Sequence, residues 1–122
     1  MKTVLIVDDN LVMRKIVKNT FELLKMPCRY LEAEDGKKAF YLLETNNVDL
    51  VLLDWNMPEM DGIGFLKRVR AMPDYKELPV VMVTSEAGKF SVIEALQNGA
   101  TDYIVKPVRE KVFMEKVSEI LS

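Results

Sequence analysis

The sequence predicts an α/β fold: a doubly wound domain with helices on both faces of a parallel sheet. Three observations carry this reading. Five short apolar runs alternate with five segments of helical spacing, and strict strand–helix alternation implies parallel strands joined by right-handed crossovers. Two of the runs, Leu50–Leu53 and Val80–Val83, are continuously apolar, as strands buried on both faces are. The length of 122 residues suits one domain with a single core, so residues 1–122 are expected to form one unit without internal repeat or linker.

The first strand is expected at Thr3–Val7, after which Asn10 can cap a helix. Met13, Ile16/Val17, Phe21 and Leu24 then recur at helical spacing until Pro27 blocks continuation. The second run, Arg29–Ala33, alternates with polar residues and suits an edge strand. Asp35-Gly36 leads into a helix with Ala39, Leu42 and Leu43 on one face. The third run, Asp49–Leu53, is the driest and reads as the central strand. Asn56 and Pro58 stop it, and Asp61-Gly62 turns towards a helix marked by Ile63, Leu66 and Val69 that ends before Pro73.

The fourth strand is expected at Val80–Thr84. Its helix should face inward through Ile93 and Leu96 and stop at Gly99. Asp102–Val105 is a short last strand running into Lys106-Pro107. The final helix buries Phe113, Val117 and Ile120/Leu121, a stripe that reads as core.

Composition removes several classes of function. The chain has no histidine and one cysteine, Cys28, which excludes Ser-His-Asp and Cys-His catalysis, imidazole zinc sites and an internal disulfide. A net charge of −2 without a basic tract argues against nucleic acid as a partner. No apolar stretch is long enough to span a membrane. The N-terminal apolar run ends in Asp8-Asp9 rather than a cleavage site, so it does not read as a signal peptide. A cytoplasmic protein is expected.

In a parallel sheet of this kind all the loops after strands open on one edge, where ligands bind. That edge should collect Asp8-Asp9, Asp54, Thr84-Ser85 and Lys106-Pro107. Three carboxylates so close repel one another unless a cation balances them. Mg²⁺, with oxygen ligands, is the natural solution. Asp9 and Asp54 are the expected direct ligands and Asp8 acts through water. The free Asp54 oxygen can then attack phosphorus, with Lys106 and the Thr84 hydroxyl stabilising the transferred group.

Singly, each residue has a blander reading. An Asp pair after a strand is usually a helix cap, Thr84 another cap, Lys106 a solvated strand end, and Tyr103 a packing residue. Met57 and Met60 wall a site rather than act in it. The coincidence of four strand ends favours the chemical reading.

Together, Asp8-Asp9, Asp54, Thr84 and Lys106-Pro107 resemble the receiver domain of two-component response regulators, over the whole chain. Asp54-Trp55-Asn56-Met57-Pro58, Met60-Asp61-Gly62, Leu78-Pro79-Val80, Met82-Val83-Thr84, Glu86-Ala87 and Val105-Lys106-Pro107 are similar to the single-domain chemotaxis members in particular. The resemblance implies a flavodoxin-like (βα)5 fold with strand order 2-1-3-4-5. It implies that Asp54 is the phosphoacceptor, that Mg²⁺ is held by Asp9, Asp54 and the Asn56 backbone carbonyl, and that Lys106 binds the phosphoryl group. Thr84 and Tyr103 become a switch pair, Tyr103 turning inward on phosphorylation, and Lys116 joins the partner face.

Implied partners are a CheA-like histidine kinase, the flagellar motor switch or another downstream target, and a phosphatase, for a protein that is monomeric and not an enzyme acting on other substrates. The chain departs from the pattern at Ser85, where alanine is frequent, and at Lys25-Met26-Pro27-Cys28, which lacks a glycine. Its last helix, from Arg109 to Ser122, is the least similar part. A chain ending just after its fifth helix is expected to act by binding.

Two rivals stay open at this point. One is a stand-alone receiver in a non-chemotaxis phosphorelay, or an adaptor. The other is a small Mg²⁺-dependent phosphatase or phosphotransferase. Against the latter, the position of its general acid is taken by Asn56 and no cap segment is present. A flavin carrier is disfavoured because two acids stand where a phosphate cradle would be.

Overall fold

The computed structural model describes residues 1–23, 25 and 27–122; the expected helix position Leu24, and Met26 in the turn before the second strand, lie outside the described residues. Five parallel strands are present: β1 (Lys2–Val7), β2 (Cys28–Ala33), β3 (Leu50–Leu53), β4 (Val80–Thr84) and β5 (Asp102–Val105). Their spatial order is β2-β1-β3-β4-β5. The crossover helices are α1 (Leu11–Glu22), α2 (Gly36–Thr45), α3 (Gly62–Ala71) and α4 (Lys89–Gln97), with α5 (Glu110–Leu121) closing the series and a single 3₁₀ turn at Pro73–Tyr75. The doubly wound, flavodoxin-like expectation is met.

Alternation along the strands sorts the side chains into two layers. Leu5, Val7, Val51, Leu53, Val80 and Met82 point to the face covered by α2, α3 and α4. Val4, Ile6, Leu50, Leu52, Val81 and Val83 point to the face covered by α1 and α5, where Phe21, Phe113, Val117 and Leu121 meet them. All four residues of β3 are buried, because this strand has neighbours on both edges and helices on both faces. β2 lies at the edge and only Ala33 of it is buried, as its polar alternation predicts.

Helix starts follow the capping chemistry. Asn10, Asp35 and Asp61 accept from the backbone N–H groups of Met13, Lys38 and Gly64, each satisfying an otherwise orphaned donor. Gly99 ends the fourth helix region with φ 101°, a left-handed conformation that glycine enters freely. α1 closes at Glu22, ahead of Pro27, and Lys25 takes a positive φ of 54° without being glycine.

One expectation fails. Ile93 and Leu96 of α4 are exposed, and the buried residue of that helix is Ala95, with Val92 packed beside it. Seating the helix on its smallest apolar side chain brings it close to the sheet and turns Phe90, Ile93 and Leu96 outward. In α1, Val17 is the buried member of the Ile16/Val17 pair.

Candidate functional site

The rim is built by continuing the strand ladders one residue past each strand. The Asp8 N–H donates to the Ala33 carbonyl (3.0 Å), the Asp54 N–H to that of Val7 (2.9 Å), and the Lys106 N–H to that of Thr84 (2.8 Å). These bonds bring residues far apart in sequence to one edge. Gly62 lets α3 begin against the end of β3: its N–H donates to the Trp55 carbonyl at 2.7 Å, and a Cβ there would collide with the Asp54 carbonyl oxygen.

Carboxylate oxygens of Asp8, Asp9 and Asp54 lie within 4.8 Å of one another. Asp8 and Asp54 are buried, at 5% and 7% exposure, while Asp9 faces solvent. Lys106 Nζ is 2.8 Å from Asp8 Oδ2 and 3.5 Å from Asp54 Oδ1, and the Lys106-Pro107 peptide is cis. One ammonium therefore faces three acids.

The imbalance shows in Asp54. Burial pushes its carboxyl above the usual range, and the Asp8 charge adds to this. Lys106, the Trp55 N–H and the Thr84 hydroxyl act in the opposite direction without cancelling it. Three hard oxygen donors around a deficit of positive charge fit a divalent ion such as Mg²⁺. Zinc is a poorer match, since the group offers neither sulfur nor nitrogen.

Thr84 is fully buried, and its Oγ1 accepts from the Glu86 N–H at 3.2 Å. Tyr103 is also buried. Its hydroxyl donates to the Glu86 carbonyl at 2.5 Å, and burial followed by the charges of Glu86 and Asp54 raises its phenol above the ordinary value. Tyr103 thus already occupies the inward position expected only after phosphorylation.

The Asn56 side chain is exposed and donates from Nδ2 to Glu86 Oε1 at 3.2 Å. Lys116, expected on the partner face, lies on α5, and its Nζ bonds Asp102 Oδ1 at the start of β5 at 2.8 Å. Met57 and Met60 pack against the core on the α2–α3 face, as walls.

Two residues to which the sequence reading gives no role take part, Glu86 having entered it only within the Glu86-Ala87 motif. Glu86 donates its N–H to Thr84 and accepts from Tyr103 and Asn56; its place two residues after Thr84, on a loop of the same rim, is the signal that could have found it. Arg14 donates to the Asp8 carbonyl, and nothing in its helical position announces this.

A family model described as the response regulator receiver domain matches residues 4–118. A chemotaxis protein CheY homolog of Campylobacter jejuni is 47% identical over 118 residues, covering 96% of this chain and 90% of that protein. The chemotaxis protein CheY of Pseudomonas aeruginosa is 45% identical, with 96% and 94% covered. Among solved structures, the Vibrio cholerae chemotaxis protein CheY4 superposes with a TM-score of 0.88 at 31% identity, covering 98% of each chain. A CheY-like receiver domain protein from Methanospirillum hungatei gives 0.87 at 27% identity, covering 99% of this chain and 94% of that one.

Proposed function

This chain belongs to the response regulator receiver family, and we propose that within it the chain is a chemotaxis regulator switched by phosphorylation of Asp54. The observation that carries this reading is the meeting of Asp8, Asp9 and Asp54 within 4.8 Å under the Lys106 ammonium. The similarity to chemotaxis proteins over nearly the whole chain supports the pathway.

An Asp54 oxygen attacks the phosphorus of a phosphoryl donor, such as the phosphohistidine of a histidine kinase. A new O–P bond forms, the N–P bond breaks, and the imidazole leaves with the electron pair. Lys106 can neutralise charge on the incoming oxygens, and Thr84, next to Asp54, can donate its hydroxyl proton to them, since its bond with Glu86 uses only the oxygen as acceptor. Asp9, Asp54 and the Asn56 carbonyl, with Asp8 through water, would hold Mg²⁺, which would supply Lewis-acid stabilisation of the transferred group. Water attack on the phosphoryl group later returns the carboxylate, alone or with a phosphatase.

Output follows from Glu86. A phosphoryl group adds about −1.5 to −2 charge at the rim, which draws the Thr84 hydroxyl and loosens the Glu86 loop that Tyr103 also holds. α4, β5 and the facing side of α5, including Lys116, form the surface presented to the partner, by similarity the flagellar motor switch. The protein works by binding in the cytoplasm as a monomer, and among the described residues no helix is long and apolar enough to cross a membrane.

Incubating the protein with acetyl phosphate and Mg²⁺, then mapping the adduct by mass spectrometry, tests the reading. One phosphoryl group on Asp54, absent in Asp54→Asn, is the expected result. Full labelling of Asp54→Asn overturns it. Binding of the labelled protein to a flagellar motor-switch protein, against the unlabelled form, tests the pathway separately.

A further inference from the structure

Arg14 lies on α1, outside the rim, yet its guanidinium reaches the peptide that joins the first two acids. Nη1 donates to the Asp8 carbonyl oxygen at 2.7 Å. Nε donates to Glu32 Oε1 at 3.0 Å, and the Arg14 side chain is only 12% exposed. The fork is therefore held from the β2 edge and aimed at the Asp8–Asp9 peptide plane.

The two acids depend on this plane unequally. Asp8 is fixed through its own carboxylate, which accepts from the Asn10 N–H (2.9 Å) and from Lys106 (2.8 Å). Its N–H is fixed as well, on Ala33. Asp9 is exposed, and where its carboxylate can reach is set by the peptide that precedes it. Rotation of that peptide swings the Asp8 carbonyl and the Asp9 backbone together, and Arg14 grips the carbonyl.

We propose that Arg14 is a positioning residue for the metal-binding carboxylates: with Glu32 it locks the Asp8–Asp9 peptide so that Asp9 faces Asp54. The inference rests on the reading of Asp8, Asp9 and Asp54 as a Mg²⁺ site. Two effects of Arg14 oppose each other. As a cation near a cation site it disfavours metal, and as an anchor of a ligand peptide it favours metal. Its pairing with Glu32 damps the first effect, so positioning wins. Outer partners of metal ligands are worth about 10–100-fold in affinity.

The test is Mg²⁺ titration of the full chain by Trp55 emission and by calorimetry, alongside urea unfolding in chelator. Arg14→Met, which keeps the apolar stem, is expected to weaken Mg²⁺ binding by about tenfold. Arg14→Lys keeps the charge but cannot serve Asp8 and Glu32 together, so it is expected to stay weakened. Glu32→Gln leaves an acceptor for Nε and should change affinity less than either. Mg²⁺ binding that is unchanged or tighter in Arg14→Met, with stability lowered, makes Arg14 a structural clamp between α1 and β2 and overturns the proposal. If Arg14→Met fails to fold, Arg14→Lys decides by the same criterion. A wild type silent to Mg²⁺ defeats the site reading itself, whereas a wild type that binds beside a defective Asp9→Ala and a normal Arg14→Met defeats only the role of Arg14.

Discussion

Helices α4 and α5 flank the same strand, β5, and are attached to the molecule by different means. α5 drives Phe113, Val117 and Leu121 into the core, where Phe113 meets Phe21 edge to face at 5.5 Å between ring centroids. α4 buries Ala95 alone, has no side-chain cap at Gly88, and leaves Phe90, Ile93 and Leu96 in solvent. What restrains its approach is polar: the bonds of Thr84, Tyr103 and Asn56 to Glu86. Apolar seating is non-directional and indifferent to a charge appearing nearby. Hydrogen bonds to one loop residue are directional, and a new acceptor at Asp54 competes for them. On the proposed function, the helix held by tethers is the one that a phosphoryl charge at Asp54 would move.

The largest expected effect breaks or upholds this contrast directly. Phe113→Ala should cost about 3–5 kcal/mol in urea unfolding, and Leu96→Ala, which removes exposed surface, less than about 0.5 kcal/mol. Comparable losses would show that the two helices are seated alike.

Next is the rim beneath α4. Asp54 has a folded-state pKa raised above the unfolded carboxylate value, so the folded protein holds more protons in the window between the two. Stability of the metal-free protein should therefore fall as pH rises from about 4 through that window. Asp54→Asn should remove the slope and stabilise the metal-free protein at pH 7, by about 1.4 kcal/mol for each pH unit the window spans. Chelated samples unfolded by urea across pH read this out, and a wild-type curve parallel to that of Asp54→Asn would show that no charge conflict is stored there.

Tyr103→Phe sharpens the contrast further. It removes one tether, worth about 0.5–1.5 kcal/mol, and amide exchange should quicken over residues 85–97 while α5 keeps its protection. Spread of the effect into α5 would mean that the two helices move as one body.

The smallest effect lies on the α1–α5 side. Lys25 has φ 54°, which costs a non-glycine residue roughly 1 kcal/mol. Lys25→Gly should recover at most about that much in urea unfolding, since glycine loses more chain entropy. It should leave amide exchange in α4 unchanged, whereas a faster α4 would tie the two sides of the sheet together.

The sheet was legible because each of its strands leaves a distinct mark. Leu50–Leu53 could only be a doubly covered strand, and the polar alternation of β2 could only suit an edge. The rim followed from topology, since parallel strands bring Asp8, Asp54, Thr84 and Lys106 to one edge whatever the side-chain detail. α4 was not legible in the same way: in Lys89–Gln97 apolar residues occur all around the helix, and periodicity cannot tell that the smallest, Ala95, is the seat. Rotamers and cross-element bonds lay beyond reach too. Nothing in the local sequence places the Tyr103 hydroxyl on Glu86, ties Lys116 to Asp102, or sends Arg14 to the Asp8 carbonyl.

The ion pair between Lys106 and Asp8 spans 98 positions of chain. A ribosome delivers the acids early and their ammonium late. Until the fifth strand has been made and docked, a growing chain carries Asp8, Asp9 and Asp54 without Lys106 to face them, and Tyr103 is not there to hold the Glu86 loop. On the proposed function, the site that would take a phosphoryl group is complete only when the whole sheet is in place.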